Sequence, residues 1–253
     1  MRILLTNDDG IHAPGLEVLE AVAGALSDDV WVVAPEFDQS GTSHSLSLND
    51  PLRVREIGPR HYAVRGTPTD CVIMGVRHLI PEPAPALILS GINRGQNVAE
   101  DVIYSGTIAG AIEGALLGIS AVALSQAYGP TTRETPYWET AESHGPPILR
   151  RLLDHGIPPG TVMNINFPDR PAEAVAGISI AAQGRRDQAL LNIEARVDGR
   201  GNPYFWLMPA RPQYEPREGS DLWALRNGFI SITPLKLDLT DHSLAADLAP
   251  IFA

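Results

Sequence analysis

One cysteine, Cys71, is all the sequence holds. That excludes an intrachain disulfide and any cysteine-based zinc cluster. Positive charge is also scarce: 19 Lys+Arg against 30 Asp+Glu leave a formal net charge of -11. Such a field repels polyanions, so no nucleic-acid duplex is expected as a partner. A small phosphorylated ligand stays possible where a metal ion supplies local positive charge. No apolar run approaches the ~20 residues of a membrane-spanning helix. The N-terminus enters a strand directly, without a signal-peptide layout. A cytoplasmic protein with no membrane partner is the expectation. No Gly-x-Gly-x-x-Gly follows the first strand and no Walker-type Gly-Lys-Ser/Thr occurs, so dinucleotide and nucleoside-triphosphate folds fit poorly. There is no internal repeat.

What is present is a chain of 253 residues with 44% hydrophobic side chains, enough for a large core. Apolar runs at 3–5, 30–34, 86–90 and 119–124 read as strands buried on both faces, as in a parallel sheet. Helical spacing of apolar residues marks 15–26, the stretch from Thr67 to about Leu79, and 108–117. Thr67, Pro68 and Asp70 have the layout of a capping box, which gives Asp70 a structural role. Two short strands, 52–57 and 61–64, suggest a hairpin. Residues 138–155 read as a helix interrupted or started late by Pro146 and Pro147. The strand 162–167 carries alternating Asn164 and Asn166, suggesting a sheet edge or a polar face. The fold expected is α/β: a Rossmann-like, mostly parallel sheet flanked by helices over 1–182, with an extension over 183–253 that returns a strand at 228–234. Within that extension, 191–197 and 204–208 read as an apolar hairpin that acts as an oligomerisation arm, and the stretch from Leu237 as a small docking helix.

Three turns, each after a buried strand, carry the chemistry. Ligands of an open parallel sheet bind outside the carboxyl ends of its strands. The first turn holds Asp8 and Asp9 before Gly10. By turn statistics it is equally an acidic turn capping the next helix. The second holds Ser40, Gly41, Thr42 and Ser43, and the third Asn93 and Asn97, followed by Ser105, Gly106 and Thr107 at a helix start. Two carboxylates with hydroxyl and amide oxygens suit a hard divalent cation. Hydroxyls and free N–H groups at a helix N-terminus suit a phosphate, though a simple Ser/Thr cap would look the same. Asp8 or Asp9 would orient a water and take its proton, while donors from Ser105 to Thr107 stabilise the phosphoryl group. His12 and His44 lie near the site by sequence, without a defined partner, and read as surface or packing residues.

Residues 1–15, Val33-Ala34-Pro35 with Ser40-Gly41, Gly66 to Cys71, Ser90 to Gly95, Tyr104 to Thr107 and 228–234 together resemble the SurE family of nucleotidases. The resemblance spans nearly the whole chain except 129–160. It implies a divalent-metal-dependent phosphatase of nucleoside 5′- and 3′-monophosphates, with short polyphosphate as a further substrate of some members. It implies one cation per subunit, Mg²⁺, Mn²⁺ or Co²⁺, held by Asp8, Asp9, Ser40 and Asn93. Gly41, Asn97, Ser105, Gly106 and Thr107 match the phosphate side. It also implies a homodimer or homotetramer that exchanges its C-terminal hairpin and helix. Gln96 stands where members often have Pro. Two rival readings remain: an aspartyl-phosphate phosphatase with Asp8 as nucleophile, which lacks the usual acid at Gly10, and a non-catalytic nucleotide sensor.

Overall fold

The computed structural model describes residues 1–186, 191–209 and 215–252. In chain order the elements are β1 (Ile3–Thr6), α1 (Pro14–Gly24), β2 (Val30–Pro35), β3 (Arg53–Gly58), β4 (His61–Arg65), α2 (Pro68–Met74), β5 (Leu87–Arg94), α3 (Asp101–Tyr104) and α4 (Gly106–Leu116). They continue with β6 (Ser120–Gln126), α5 (Trp138–His155), β7 (Thr161–Phe167), β8 (Gly177–Ile180), β9 (Leu191–Val197), β10 (Pro203–Pro209), α6 (Asp221–Arg226), β11 (Phe229–Lys236) and α7 (His242–Leu248). One sheet runs β3-β4-β2-β1-β5-β6-β7-β11-β8, and β9 and β10 form a separate two-stranded sheet. Pairing in the large sheet is parallel except β3 with β4 and β7 with β11.

The buried runs explain the layers. Successive side chains of a strand point to opposite faces. Ile3 and Leu5 therefore join one core with Leu16, Leu19 and Val22 of α1 and Leu149 of α5. Leu4 joins the other, with Cys71 and Val72 of α2 and Ile108 and Ala111 of α4. Each fully buried leucine, isoleucine or valine among them contributes roughly 1.5–3 kcal/mol. The strand order reverses at β1: β2 lies on one side of it and β5 on the other. That is the switch point where an open α/β sheet forms its crevice.

The α4 helix sits unusually close to the sheet. A Cβ on Gly110 would come within 2.9 Å of both Ser90 Oγ and Thr6 Cγ2, and one on Gly114 within 2.7 Å of Ile88 Cδ1. Small residues on that face let the N-terminus of α4 reach the turn after β1. The capping box at α2 is complete: Thr67 Oγ1 accepts from the Asp70 amide and the Asp70 carboxylate accepts from the Thr67 amide.

Three expectations need correction. The α5 helix is continuous through Pro146 and Pro147, with Gly145, Pro146, Ile148 and Leu149 buried. Its buried face packs on Val22 of α1 at Gly145, and this packing outweighs the two donors that proline removes. The ladder of β5 continues past Ser90 to Arg94, because Gly91 at φ 142° bends the strand against the Leu124 carbonyl without ending it. The asparagine strand β7 is not a sheet edge but lies between β6 and β11, and its Asn164 and Asn166 form a fully buried polar face. No helix among the described residues is long and apolar enough to cross a membrane.

Candidate active site

The turn after β1 is pinned before any ligand arrives. Asn7 Nδ2 donates to the Gly10 carbonyl at 2.8 Å, and the amide of Ile11 donates to the Pro35 carbonyl at 2.8 Å. Gly10 adopts φ 102°, a region open to glycine. The amide of Gln39 donates to the Asp8 carbonyl at 2.8 Å, which ties the loop after β2 to the same turn. From this fixed base the two carboxylates point to different walls. Asp8, only 4% exposed, accepts the Thr107 hydroxyl at 2.5 Å. Asp9 accepts the Arg94 amide at 3.0 Å. One turn thus contacts both the helix α4 and the end of β5.

The polar loop from the second strand end closes over this centre. Ser40 is exposed, and its amide donates to Asp38 Oδ1 at 2.7 Å. Gly41 follows at φ 78°. Ser43 Oγ donates to the Ile103 carbonyl at 2.7 Å, and His44 Nε2 lies 3.0 Å from Glu113 Oε2. His44 therefore has a partner on α4, which its sequence context did not show. His12 is exposed. On the third strand end, Asn93 Nδ2 donates to the Gly95 carbonyl at 2.8 Å. That bond fixes the amide's orientation and leaves Oδ1 as its ligating atom.

The phosphate-side residues divide. Ser105 caps α4, its Oγ accepting from the Ile108 amide at 3.1 Å. Gly106 is there because of Asp8: a Cβ would lie 2.8 Å from Asp8 Cβ and 3.0 Å from its Oδ2. The Thr107 hydroxyl is spent on Asp8. Asn97 is an anchor. Its amide and carbonyl bond to Asn166 and Asn164, and its Nδ2 donates to Ser125 Oγ at 3.0 Å. The polar face of β7 thus holds the loop that leads from Asn93 to α4.

Four contributors escaped the sequence reading. Asp38 sits two residues before Ser40, a spacing typical of an Asx turn. Arg94 supplies the amide on Asp9 and its guanidinium acts on the same carboxylate. Asp221 accepts from the Ala99 amide at 2.9 Å and from the Gly184 amide at 2.8 Å. Arg186 grips Asp101 with Nη1 at 3.0 Å and Nη2 at 2.7 Å. The last two come from the far end of the chain and nothing local to the motifs marks them.

Burial dominates the electrostatics. It raises the Asp8 carboxyl to about 6, partly opposed by the Thr107 hydroxyl and reinforced by Asp9. Asp9 is raised too, chiefly by burial, with the Arg94 amide opposing and Asp38 adding to the rise. Among the described residues no three His, Cys, Asp or Glu side chains gather into a metal-binding group. The candidate set is instead two carboxylates plus neutral oxygens of Ser40 and Asn93, a donor chemistry suited to a hard cation.

A stability consequence follows. The unfolded chain ionises Asp8 near the ordinary 3.8, whereas the folded chain holds that proton up to about 6. Between those values the folded state carries the extra proton, so this group's contribution to stability falls as pH rises. Above pH 6 the full penalty, about 3 kcal/mol, remains. A divalent cation beside Asp8 would relieve it. Thermal melts of metal-stripped protein should show Asp8→Asn gaining on the parent as pH rises from 4 to 7. Mn²⁺ or Mg²⁺ should raise the parent's Tm more at pH 7.5 than at pH 5. Equal Tm gains at both values would contradict a cation at this carboxylate.

Comparison with known proteins gives the family and the fold. The family model described as Survival protein SurE matches residues 3–189. The 5′-nucleotidase SurE of Azorhizobium caulinodans is 62% identical over 252 residues, covering 100% of this chain and 99% of its own length. That of Methylobacterium sp. (strain 4-46) is 64% identical over 242 residues, with 96% of each chain covered. The crystal structure of the Aquifex aeolicus SurE protein superposes with a TM-score of 0.86 at 38% identity, covering 100% of both chains. On the family match and on relatives that align from end to end, the chain belongs to the SurE family.

Proposed function

We infer that the chain is a divalent-metal-dependent phosphatase that hydrolyses nucleoside monophosphates, 5′ and 3′, to nucleoside and phosphate. The observation that carries this reading is the placement of Asp8 and Asp9 against the N-terminus of α4 and the end of β5. The printed activity of the relatives, 5′-nucleotidase, supports it. One cation per subunit, Mg²⁺, Mn²⁺ or Co²⁺, would be held by Asp8, Asp9, Ser40 and Asn93. The fit rests on Asp8, a buried carboxylate with no cationic side chain bonded to it, and on Asn93, whose amide nitrogen is already committed. When bound, such an ion supplies Lewis acidity, polarising a phosphoryl oxygen and acidifying water.

The chain's own groups do the rest. Thr107 fixes Asp8 in one rotamer, so Asp9, more exposed, is the carboxylate free to orient a water and accept its proton. The first amides of α4 face the phosphate with the positive end of the helix. Arg94 adds a cation at the rim. A covalent aspartyl-phosphate at Asp8 is disfavoured by its burial and its bond to Thr107. Phosphate release from a panel of nucleoside 5′- and 3′-monophosphates, with Mn²⁺ or Mg²⁺ and then with chelator, tests the proposal. Absence of metal-dependent release across the panel would favour a nucleotide sensor.

The hairpin fits a second role, as an arm between copies. Paired residues give β9–β10 one wholly apolar face, with Ile193 opposite Leu207 and Ala195 opposite Phe205. Phe205 and Leu207 are 63% and 65% exposed within one chain. A two-stranded hairpin is marginal in water by itself. The C-terminal helix α7 is likewise exposed throughout. Both belong to the extension we assign to 183–253, of which 187–190, 210–214 and 253 lie outside the described residues. A Phe205→Ser, Leu207→Ser double variant should elute with a lower mass by light scattering, as a dissociated dimer or tetramer. An unchanged mass would exclude the hairpin as the arm.

A further inference from the structure

Beside the candidate ligands, and sharing the loop after β2 with them, lies a pocket of about 410 Å³ lined by Gln39, Ser47, Asp50, Arg53, Arg65 and Thr67, with Pro51 and Gly66 completing the wall. Its two arginines are direct cross-strand partners: Arg53 opens β3 and Arg65 closes β4. Like charges placed opposite each other in an antiparallel pair destabilise the sheet. Neighbouring arginines are matched, Arg55 by Glu36 and Arg60 by Asp29. Among the described residues neither the Arg53 nor the Arg65 side chain has an ion pair or hydrogen bond, their backbones pairing in the β3–β4 ladder. Asp50 supplies the one carboxylate on the pocket wall, against two guanidinium groups. In a chain of net charge -11, an excess of positive charge around a polar cavity is a local exception.

Topology sets the distance from this pair to the scissile position. In the sheet, β4 is two places from β1, through β2, and β4 runs parallel to both. Arg65 therefore ends its strand on the same edge as Asp8, two strand spacings or about 10 Å away. A long arginine side chain shortens that gap. Gln39 joins the two places, since its amide bonds to the Asp8 carbonyl while its residue lines the pocket. Ser47 lines the same wall, while the Thr67 hydroxyl donates to the Ser45 carbonyl at 2.8 Å and caps α2. Guanidinium groups and hydroxyls are the groups that recognise phosphate.

We propose that the Arg53–Arg65 pocket binds a second phosphate on the substrate, so that a nucleoside 3′,5′-bisphosphate is taken with one phosphate at Asp8–Asp9 and the other on the arginine pair. The proposal rests on the phosphatase reading above. The preference it creates is for doubly phosphorylated nucleotides over monophosphates, expressed in KM, with the arginines clear of the reacting phosphoryl group.

The test compares adenosine 5′-monophosphate, adenosine 3′,5′-bisphosphate and tripolyphosphate on the parent and on R53Q, R65Q and the double variant, under the same metal. Thermal melts check that each variant is folded; both side chains are exposed, so little loss is expected. KM for the bisphosphate should rise about tenfold in the double variant, with KM for the monophosphate within about twofold. A bisphosphate KM that does not move overturns the proposal, as does an equal rise for both nucleotides, which would place the pair on the scissile phosphate or the base. A rise confined to tripolyphosphate would reassign the pocket to a phosphate chain and also overturn it. If the parent hydrolyses no monophosphate at all, the phosphatase reading itself has failed, an outcome distinct from each of these.

Discussion

Asp8→Asn should lower kcat by about 10³-fold or more and abolish measurable binding of Mn²⁺ in a calorimetric titration, while far-UV dichroism stays unchanged. The expectation comes from two facts of position. Asp8 is the most buried of the candidate ligands, and the Thr107 hydroxyl already donates to it. An asparagine keeps the volume and can still accept that hydroxyl through its oxygen, so packing is kept while the charge is lost. Removing the charge also removes the burial penalty that lifts this carboxyl to about 6. The metal-free variant should accordingly be more stable than the parent at pH 7, even as catalysis fails. Unchanged Mn²⁺ affinity would sink the assignment of Asp8 as a ligand.

Gly106→Ala should behave in a way no ordinary helix substitution does. Alanine within a helix is favoured over glycine by about 1 kcal/mol. Here the added Cβ would stand 2.8 Å from Asp8 Cβ, so the carboxylate must shift or α4 must lift from the sheet. A displacement of the order of 1 Å costs roughly 10²-fold in rate. A loss of about that size is expected in kcat/KM, with Tm lowered by only a few degrees. Steady-state kinetics beside a thermal melt decides it. Full activity in a folded Gly106→Ala variant would show that contact between α4 and Asp8 does not set the geometry of the site.

The sheet was legible where burial is two-sided. The runs at β1, β2, β5 and β6 have no polar face, and the ends of the first three display the chemistry, so strand and site could be read together. The α2 capping box was legible because all its members lie within four residues. What escaped was long-range. Asn164 and Asn166 fit a sheet edge as well as a polar face until β11, arriving from more than sixty residues later, pairs with β7. Their bonds to the Asn97 backbone give that residue an anchoring role that its position in the sequence does not show. Pro146 and Pro147 argue locally against a helix that packing on α1 sustains. Arg94 and Asp38 meet Asp9 only because β5 and β2 flank β1 in the sheet. The turn residues themselves, Asp8, Asp9, Ser40 and Asn93, lie at or after the ends of β1, β2 and β5, which are neighbours in the sheet.

The clamp from the far end of the chain has a bearing on biosynthesis. Every candidate ligand and phosphate contact lies between Asp8 and Thr107, in the first half of the sequence. Yet Ala99, just ahead of α4, is held by Gln183 and Asp221, and Arg186 grips Asp101. A chain emerging from the ribosome at ~5–20 residues per second exposes its acidic pair many seconds before those clamps exist. A nascent chain stopped near residue 182 would carry all four candidate ligands and the β7 asparagines on Asn97, but not the contacts of Gln183, Arg186 and Asp221 with Ala99 and Asp101. The segment ahead of α4 thus reaches its full set of contacts only after Gln183, Arg186 and Asp221 have been made.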